Sequence, residues 1–251
     1  AYTTIPIGTA LCLGSHVPQN FNSPYGAIGF SDFWRRWHIS LSTWLRDYLY
    51  ISLGGNRRGQ ARTYANLMIT MLLGGLWHGA GWTFVIWGGL HGLYLMVNHG
   101  WRALSTHLGW GMGGRAGRLA AGALTFIAVV VAWVFFRPDN VHAAVSMLSS
   151  MVGMNDLLPD RWTRWREELR AILAGLLAVW LLPNVRQMLL HYRPTWEDIA
   201  GVKTPAPLPQ GRMARWLTWQ PQPAHALVLA GLFIWCLTSL NEVSEFLYFR
   251  F

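Results

Sequence analysis

His78 stands in the run Gly74-Gly75-Leu76-Trp77-His78-Gly79-Ala80, inside an apolar segment with no acid or base beside it to neutralise a charge. Ionisable groups in such surroundings are costly and mark functional positions by default. Desolvation disfavours imidazolium, so the sequence predicts a neutral ring, and a neutral buried imidazole is able to take a proton from a hydroxyl. The flanking glycines leave room for a thin substrate. The same residues also suit a packing histidine bonded to a neighbouring carbonyl. His91, in Gly88-Gly89-Leu90-His91-Gly92 near the other end of the apolar stretch, reads either as a packing histidine or as a further substrate contact.

A second concentration of polar and aromatic residues runs from Ser31 to Tyr50. Ser31 is placed to cap a helix, and Trp34, Trp37, Leu41, Trp44, Leu45 and Tyr48 recur at helical spacing, which predicts an amphipathic helix at a membrane interface. Arg35 and Arg36 beside Trp37 suit anionic headgroups or the phosphates of a cytoplasmic ligand. Leu53-Gly54-Gly55-Asn56-Arg57-Arg58-Gly59 is a basic turn-forming loop without the Walker pattern. The sequence has no nucleophile elbow, local Cys-His signature or zinc motif, so no metal is expected. Cys12 and Cys236 lie far apart in apolar segments and read as inert buried residues.

The elements that must hold these residues are set by composition. The chain is 53% hydrophobic and 12% charged, about half the charged share of a soluble domain, so its apolar surface calls for lipid. Its formal charge of +9 fits either nucleic acid or cationic loops beside an anionic leaflet, and the apolar runs decide for the membrane over nucleic acid. Many of the sixteen tryptophans edge those runs, among them Trp77, Trp82, Trp101, Trp133, Trp180 and Trp219, as in an interfacial belt. Spans are expected at about 119–136, 169–182 and 224–240, with Pro138 and Pro183 stopping the first two. Between Asn66 and Val97 seven glycines break the apolar run, which predicts close backbone packing in two elements that leave and return on one side. Arginine-rich loops around 35–62 and 102–118 then lie in the cytoplasm and 137–168 outside, with the basic 186–215 region inside again. Val141 to Val152 suits an amphipathic surface helix, and Val202 to Gln210 an extended linker. The chain opens at Ala1 without an initiator Met or signal peptide and is read as the C-terminal part of a longer protein.

The ordered blocks Ser31 to Ser42, Leu53 to Arg57 and Gly74 to Ala80 closely resemble the membrane-bound O-acyltransferase (MBOAT) family, and within it the bacterial alginate O-acetylase branch. The ending Glu245 to Phe251 is similar to that branch as well. The resemblance implies an all-α, polytopic fold with broken or re-entrant helices around a tunnel. Residues 1–251 would form a single membrane-embedded domain whose motif region is 20–98. It implies transfer of an acyl group, acetyl by the branch it resembles, from a cytoplasmic thioester such as acetyl-CoA to a hydroxyl, with no bound cofactor. The family's catalytic histidine falls on His78 and its second motif histidine on His38. Arg35, Arg36, Trp37, Trp77 and His91 complete the candidate substrate- and donor-binding set. The implied setting is the bacterial inner membrane, with lipids, a polysaccharide acceptor and a periplasmic acetyl-relay protein as partners. Two non-enzymatic readings compete: a transporter or channel subunit passing protons through His78 and His91, and a scaffold for a polysaccharide export machine. The lack of intramembrane acids and of internal repeats counts against the transporter.

Overall fold

The glycine-broken stretch folds as a helical hairpin: α4 (Gln60–His78) and α5 (Trp82–His107) run antiparallel about the turn Gly79 to Gly81. Its two backbones nearly touch. A Cβ at Gly75 would stand 2.3 Å from the Phe84 carbonyl oxygen, and one at Gly88 would stand 2.4 Å from that of Met71. No side chain fits either gap, so glycine is what lets the hairpin close. The expected pair of elements is present.

The computed structural model describes residues 4–15, 17–110, 114–154, 162–189, 219 and 221–239, and every regular element among these is helical. They divide into two units, Pro18–Leu182 and a second made of Ala1–Val17 with Pro183–Phe251. The expected linker at 202–210 and the C-terminal motif at 245–251 lie outside the described residues.

Within the larger unit, α6 (Gly114–Phe136) is the one described helix long and apolar enough to cross a membrane. It ends two residues before Pro138, as expected. The second expected span lies in α8 (Trp162–Leu181), whose first half carries Arg164, Arg166, Glu167, Glu168 and Arg170 and so falls short of a fully apolar span. The surface helix is α7 (Val141–Met151), capped by Asn140, whose Oδ1 accepts from the Ala143 N–H at 2.9 Å. Its Ala144 is wholly buried in a cluster with Phe30, Phe33, Trp87 and Val129.

The stretch 31–50 departs from expectation. It is not one amphipathic helix but three pieces: α2 (Phe30–Trp34), α3 (Ile39–Trp44) and a π-helical turn over Leu45–Tyr50. The break is at His38, whose φ of 43° and ψ of 58° lie in the left-handed region. A helix cannot continue through that conformation. Ser31 is not a cap either: Gly29 holds the cap position, and the Ser31 hydroxyl instead donates to Asn98 Oδ1 at 2.9 Å.

The smaller unit contains α1 (Thr4–Cys12), α9 (Val185–Met188) and the apolar α10 (Pro223–Ser239). Asn184 and Gln187 close a reciprocal capping box on α9, each side chain accepting a backbone N–H at 2.9 Å. Cys12 and Cys236 are both free and exposed, which corrects the expectation that they are buried. An apolar helix in a membrane protein turns such residues outward at no cost. Trp133 is corrected the other way: it faces inward, 4.9 Å from Trp37 and 5.2 Å from Phe136 between ring centroids, rather than joining an outer belt with the exposed Trp77, Trp82, Trp101 and Trp180.

Candidate active site

A short backbone clamp holds His38 in its left-handed turn. The Ile39 N–H donates to the Asn20 carbonyl at 2.9 Å, while the Ser40 N–H and hydroxyl both donate to Asn20 Oδ1, at 3.0 and 2.9 Å. On the other side of the turn, the Asn22 N–H donates to the Arg36 carbonyl at 2.9 Å, and the Ser42 hydroxyl to that of Trp37 at 3.0 Å. A non-glycine residue in this region costs of order 1–3 kcal/mol and persists only where its surroundings impose it. Here the surroundings are the loop 20–22. Burial pushes the half-buried His38 imidazole below its ordinary range, with its backbone partly opposing. The ring is therefore neutral at pH 7.

His78 closes the last turn of α4 and is walled by aromatic rings. Trp77, Phe136 and Trp87 lie 4.9, 5.0 and 5.2 Å away between centroids, each edge to face. Phe84 stacks at 6.4 Å. The glycine hairpin sets this geometry, because it brings Trp87 of α5 back over the end of α4. A line of rings from Trp37 through Trp133 and Phe136 joins the His38 turn to His78. His38 lies within electrostatic reach of His78, forty residues away in the chain. Two half-buried imidazoles thus stand at the two ends of this line of rings, one able to receive a proton and the other to orient the group that gives it.

The remaining expected residues are distributed differently. Trp37 packs in the core, stacked on Phe33 at 5.7 Å. Trp77 touches His78 with one edge yet is 62% exposed, so it covers the outer side of the ring. Arg36 is tied to Asp32 at 2.8 Å, whereas Arg35 is exposed. His91 is 1% exposed and enclosed by Trp87, Trp34, Phe33 and Tyr94, away from the His38–His78 pair.

Three asparagines escaped the sequence reading. Asn20 builds the His38 clamp, and Asn98 fastens α2 to α5. Asn66, wholly buried, donates to the Gly55 carbonyl at 3.0 Å and so anchors the Gly54-Gly55-Asn56-Arg57 loop on α4. Asn66 carried a signal, since a bare amide in an apolar helix demands a partner. Asn20, in a polar loop, carried none.

The chain belongs to MBOAT, the membrane-bound O-acyltransferase family, which matches residues 1–137. It is a membrane protein on that ground. Among its relatives is a probable alginate O-acetylase of Pseudomonas putida, 40% identical over 260 residues that take in 100% of this chain and 50% of the relative. A peptidoglycan O-acetyltransferase of Helicobacter pylori is 46% identical over 61% of this chain and 28% of the relative. More distant is a teichoic acid D-alanyltransferase of Streptococcus thermophilus, 34% identical over 40% of this chain and 26% of its own. The chain spans at most half the length of these relatives.

Proposed function

We propose that the protein is an O-acetyltransferase of the bacterial inner membrane, multi-pass, which moves acetyl from a cytoplasmic thioester, acetyl-CoA, to a hydroxyl of a polysaccharide. The names of its relatives support acetyl as the group and a cell-envelope or secreted glycan as the acceptor. The observation that carries the reading is the line of aromatic rings that joins the His38 turn to His78 at the end of a glycine-closed hairpin, inside residues matched by the family.

In this mechanism His78 is the general base. The acceptor oxygen attacks the thioester carbonyl carbon as its proton passes to the His78 ring. The new C–O bond forms, the C–S bond breaks, and the departing thiolate recovers the proton from His78. A positioned base contributes on the order of 10²–10⁴ in rate, with proximity supplying much of the rest. His38 orients the acceptor. Its Nδ1 faces the Ser40 oxygen at 3.5 Å, and the Ser40 hydrogen is already given to Asn20 Oδ1. The Ser40 oxygen is thus left to accept, which favours the tautomer with hydrogen on Nδ1 and a free lone pair on Nε2. That lone pair receives a hydroxyl hydrogen from the substrate.

Broken helices around a tunnel would carry the acetyl group to the outer face, where a periplasmic acetyl-relay protein accepts it for the polysaccharide. The test is acetyl release from radiolabelled acetyl-CoA by the full-length protein in membranes, wild type against His78→Ala at matched abundance. Turnover lost in the variant supports the assignment. Equal turnover in both removes His78 as the base.

A further inference from the structure

The open end of the α4–α5 hairpin, opposite His78, gathers charge of one sign. A Cβ on Gly100 would lie 3.8 Å from the Tyr64 hydroxyl, so the start of α4 runs beside the later part of α5. Two residues further out on each helix stand Arg62 and Arg102, both exposed. The next helix returns to the same end. Phe136, at the finish of α6, lies 5.6 Å from Trp87 near the start of α5, so α6 runs antiparallel to α5 and begins, with the exposed Arg115 and Arg118, level with its end. No acidic residue occurs between Asp47 and Asp139, and Asp139 follows the far end of α6. Among the described residues the ion pairs are made by Arg36 and Arg46, and by none of these arginines.

The loop that adds Arg57 and Arg58 to this end is built rather than loose. Asn66 Nδ2 donates to the Gly55 carbonyl at 3.0 Å, the Gly55 N–H to the Tyr50 carbonyl at 2.9 Å, and the Tyr50 hydroxyl to Asn56 Oδ1. Gly54 and Gly55 turn the chain at φ of 107° and 53°, where a side chain would be strained. The Arg58 stem lies across Gly54, its Cδ 3.3 Å from where a Cβ would stand. The loop therefore presents its guanidiniums from a fixed backbone, a few residues before Arg62.

The helices sharpen the imbalance. α4 and α6 both direct their N-termini to this end, and neither carries an acid in its first turn. Each N-terminus adds about half a positive charge, which arginines there reinforce instead of offsetting. An anion from outside relieves the repulsion. The arginines indicate phosphate: the one lysine of the chain is Lys203, and a guanidinium fork takes phosphate oxygens in pairs where an ammonium does not. The tryptophans indicate lipid. Trp101 and Trp110, both exposed, lie 6.2 Å apart between ring centroids at the end of α5, and exposed indoles settle at the headgroup level of a bilayer.

We propose that this end of the hairpin is a seat for anionic phospholipid of the cytoplasmic leaflet, its phosphate held by Arg57, Arg58, Arg62 and Arg102, with Trp101 and Trp110 between headgroups and chains. The seat does not depend on the acyltransferase reading.

The test reconstitutes the full-length protein in vesicles of phosphatidylcholine with and without phosphatidylglycerol, and measures the lipid retained after transfer to detergent together with the melting temperature. The wild type should keep phosphatidylglycerol in preference to phosphatidylcholine and melt higher when it is present. Each of Arg57→Gln, Arg58→Gln, Arg62→Gln and Arg102→Gln should weaken that retention about fivefold. The fourfold variant should lose both the retention and the gain in melting temperature, while melting as wild type in phosphatidylcholine alone. Should it fail to fold, the single variants carry the same test. Arg137→Gln, which removes an exposed arginine just past the opposite end of α6, should change nothing. Unchanged retention in all the rim variants overturns the seat, and its charge then serves an acidic protein. An equal loss in Arg137→Gln overturns it as well, because net charge alone is then at work. So does displacement of the lipid by saturating acetyl-CoA, which would assign the arginines to a soluble phosphate ligand.

Discussion

The two histidine neighbourhoods of the α4–α5 hairpin are built from the same materials and differ in access. His91 lies at the centre of α5, 1% exposed, its ring enclosed by Trp87, Trp34, Phe33 and Tyr94, with no hydrogen-bond partner among the described residues for either ring nitrogen. His78 lies at the end of α4, half-buried, with rings on several sides and a second imidazole within electrostatic reach. Aromatic surroundings alone therefore do not separate the two histidines. What sets His78 apart is its partly exposed place at the end of α4 and a second imidazole within electrostatic reach. The largest effect that follows is on transfer itself: His78→Ala should lower kcat by on the order of 10²–10⁴ in a protein that still folds, measured as acetyl release in membranes. A comparable fall in His91→Phe would erase the contrast between the two sites.

The glycine seam that separates the two neighbourhoods offers the next test. In Gly88→Ala the new methyl would meet the Met71 carbonyl, a backbone atom that cannot swing aside. Overpacking of this kind costs about 1–3 kcal/mol, so the melting temperature in detergent should drop by several degrees. Because the strain displaces Trp87 from the end of α4, transfer should fall with it. Gly100→Ala, where the nearest contact is the Tyr64 hydroxyl at 3.8 Å, should leave the melting temperature unchanged. Equal melting of all three proteins would mean that the seam is looser than its geometry implies.

A smaller effect is expected where His38 is held. Asn20→Ala removes the Oδ1 that accepts from Ser40 twice, and with it the hold on the Ser40 hydroxyl that faces the His38 ring. A loss of about tenfold in kcat is expected, equivalent to roughly one such interaction, with KM for the donor unchanged. Asn20→Asp keeps an acceptor at the same place and should restore most of the activity. Rescue by Asp separates positioning from simple folding, since a residue needed only to fill space would gain nothing from the carboxylate.

These sites were legible in the sequence to different degrees, and the reasons are physical. Glycines at 74, 75, 88, 89 and 92 announced a close backbone approach, because nothing else explains so many of them in an apolar run. Ala, Val and Phe over 119–136, with Pro138 beyond, announced α6 and its end. His38 did not announce its turn. The helical period runs straight through it, and the left-handed conformation is imposed by Asn20, eighteen residues upstream, in a loop that reads as ordinary turn chemistry. The Ser31–Asn98 lock spans sixty-seven residues and leaves no local trace. The exposed cysteines show a further limit: the expectation that free Cys is buried comes from proteins in water, where an apolar face has to turn inward.

The smallest expected effect bears most directly on the opening contrast. His91→Phe replaces a buried ring that has two unpartnered nitrogens with an apolar ring of similar shape, in a pocket already lined by Trp34, Trp87 and Phe33. Removing a buried polar group that makes no hydrogen bond is neutral or stabilising in most settings. The melting temperature should stay level or rise slightly, and kcat should remain within about threefold of wild type, or less than 1 kcal/mol in barrier. If instead the variant folds and melts as wild type but loses transfer, His91 contacts the donor or passes a proton. The enclosed histidine would then belong to the reaction path with His78, and the boundary between the two neighbourhoods would have to move to the far side of Trp87.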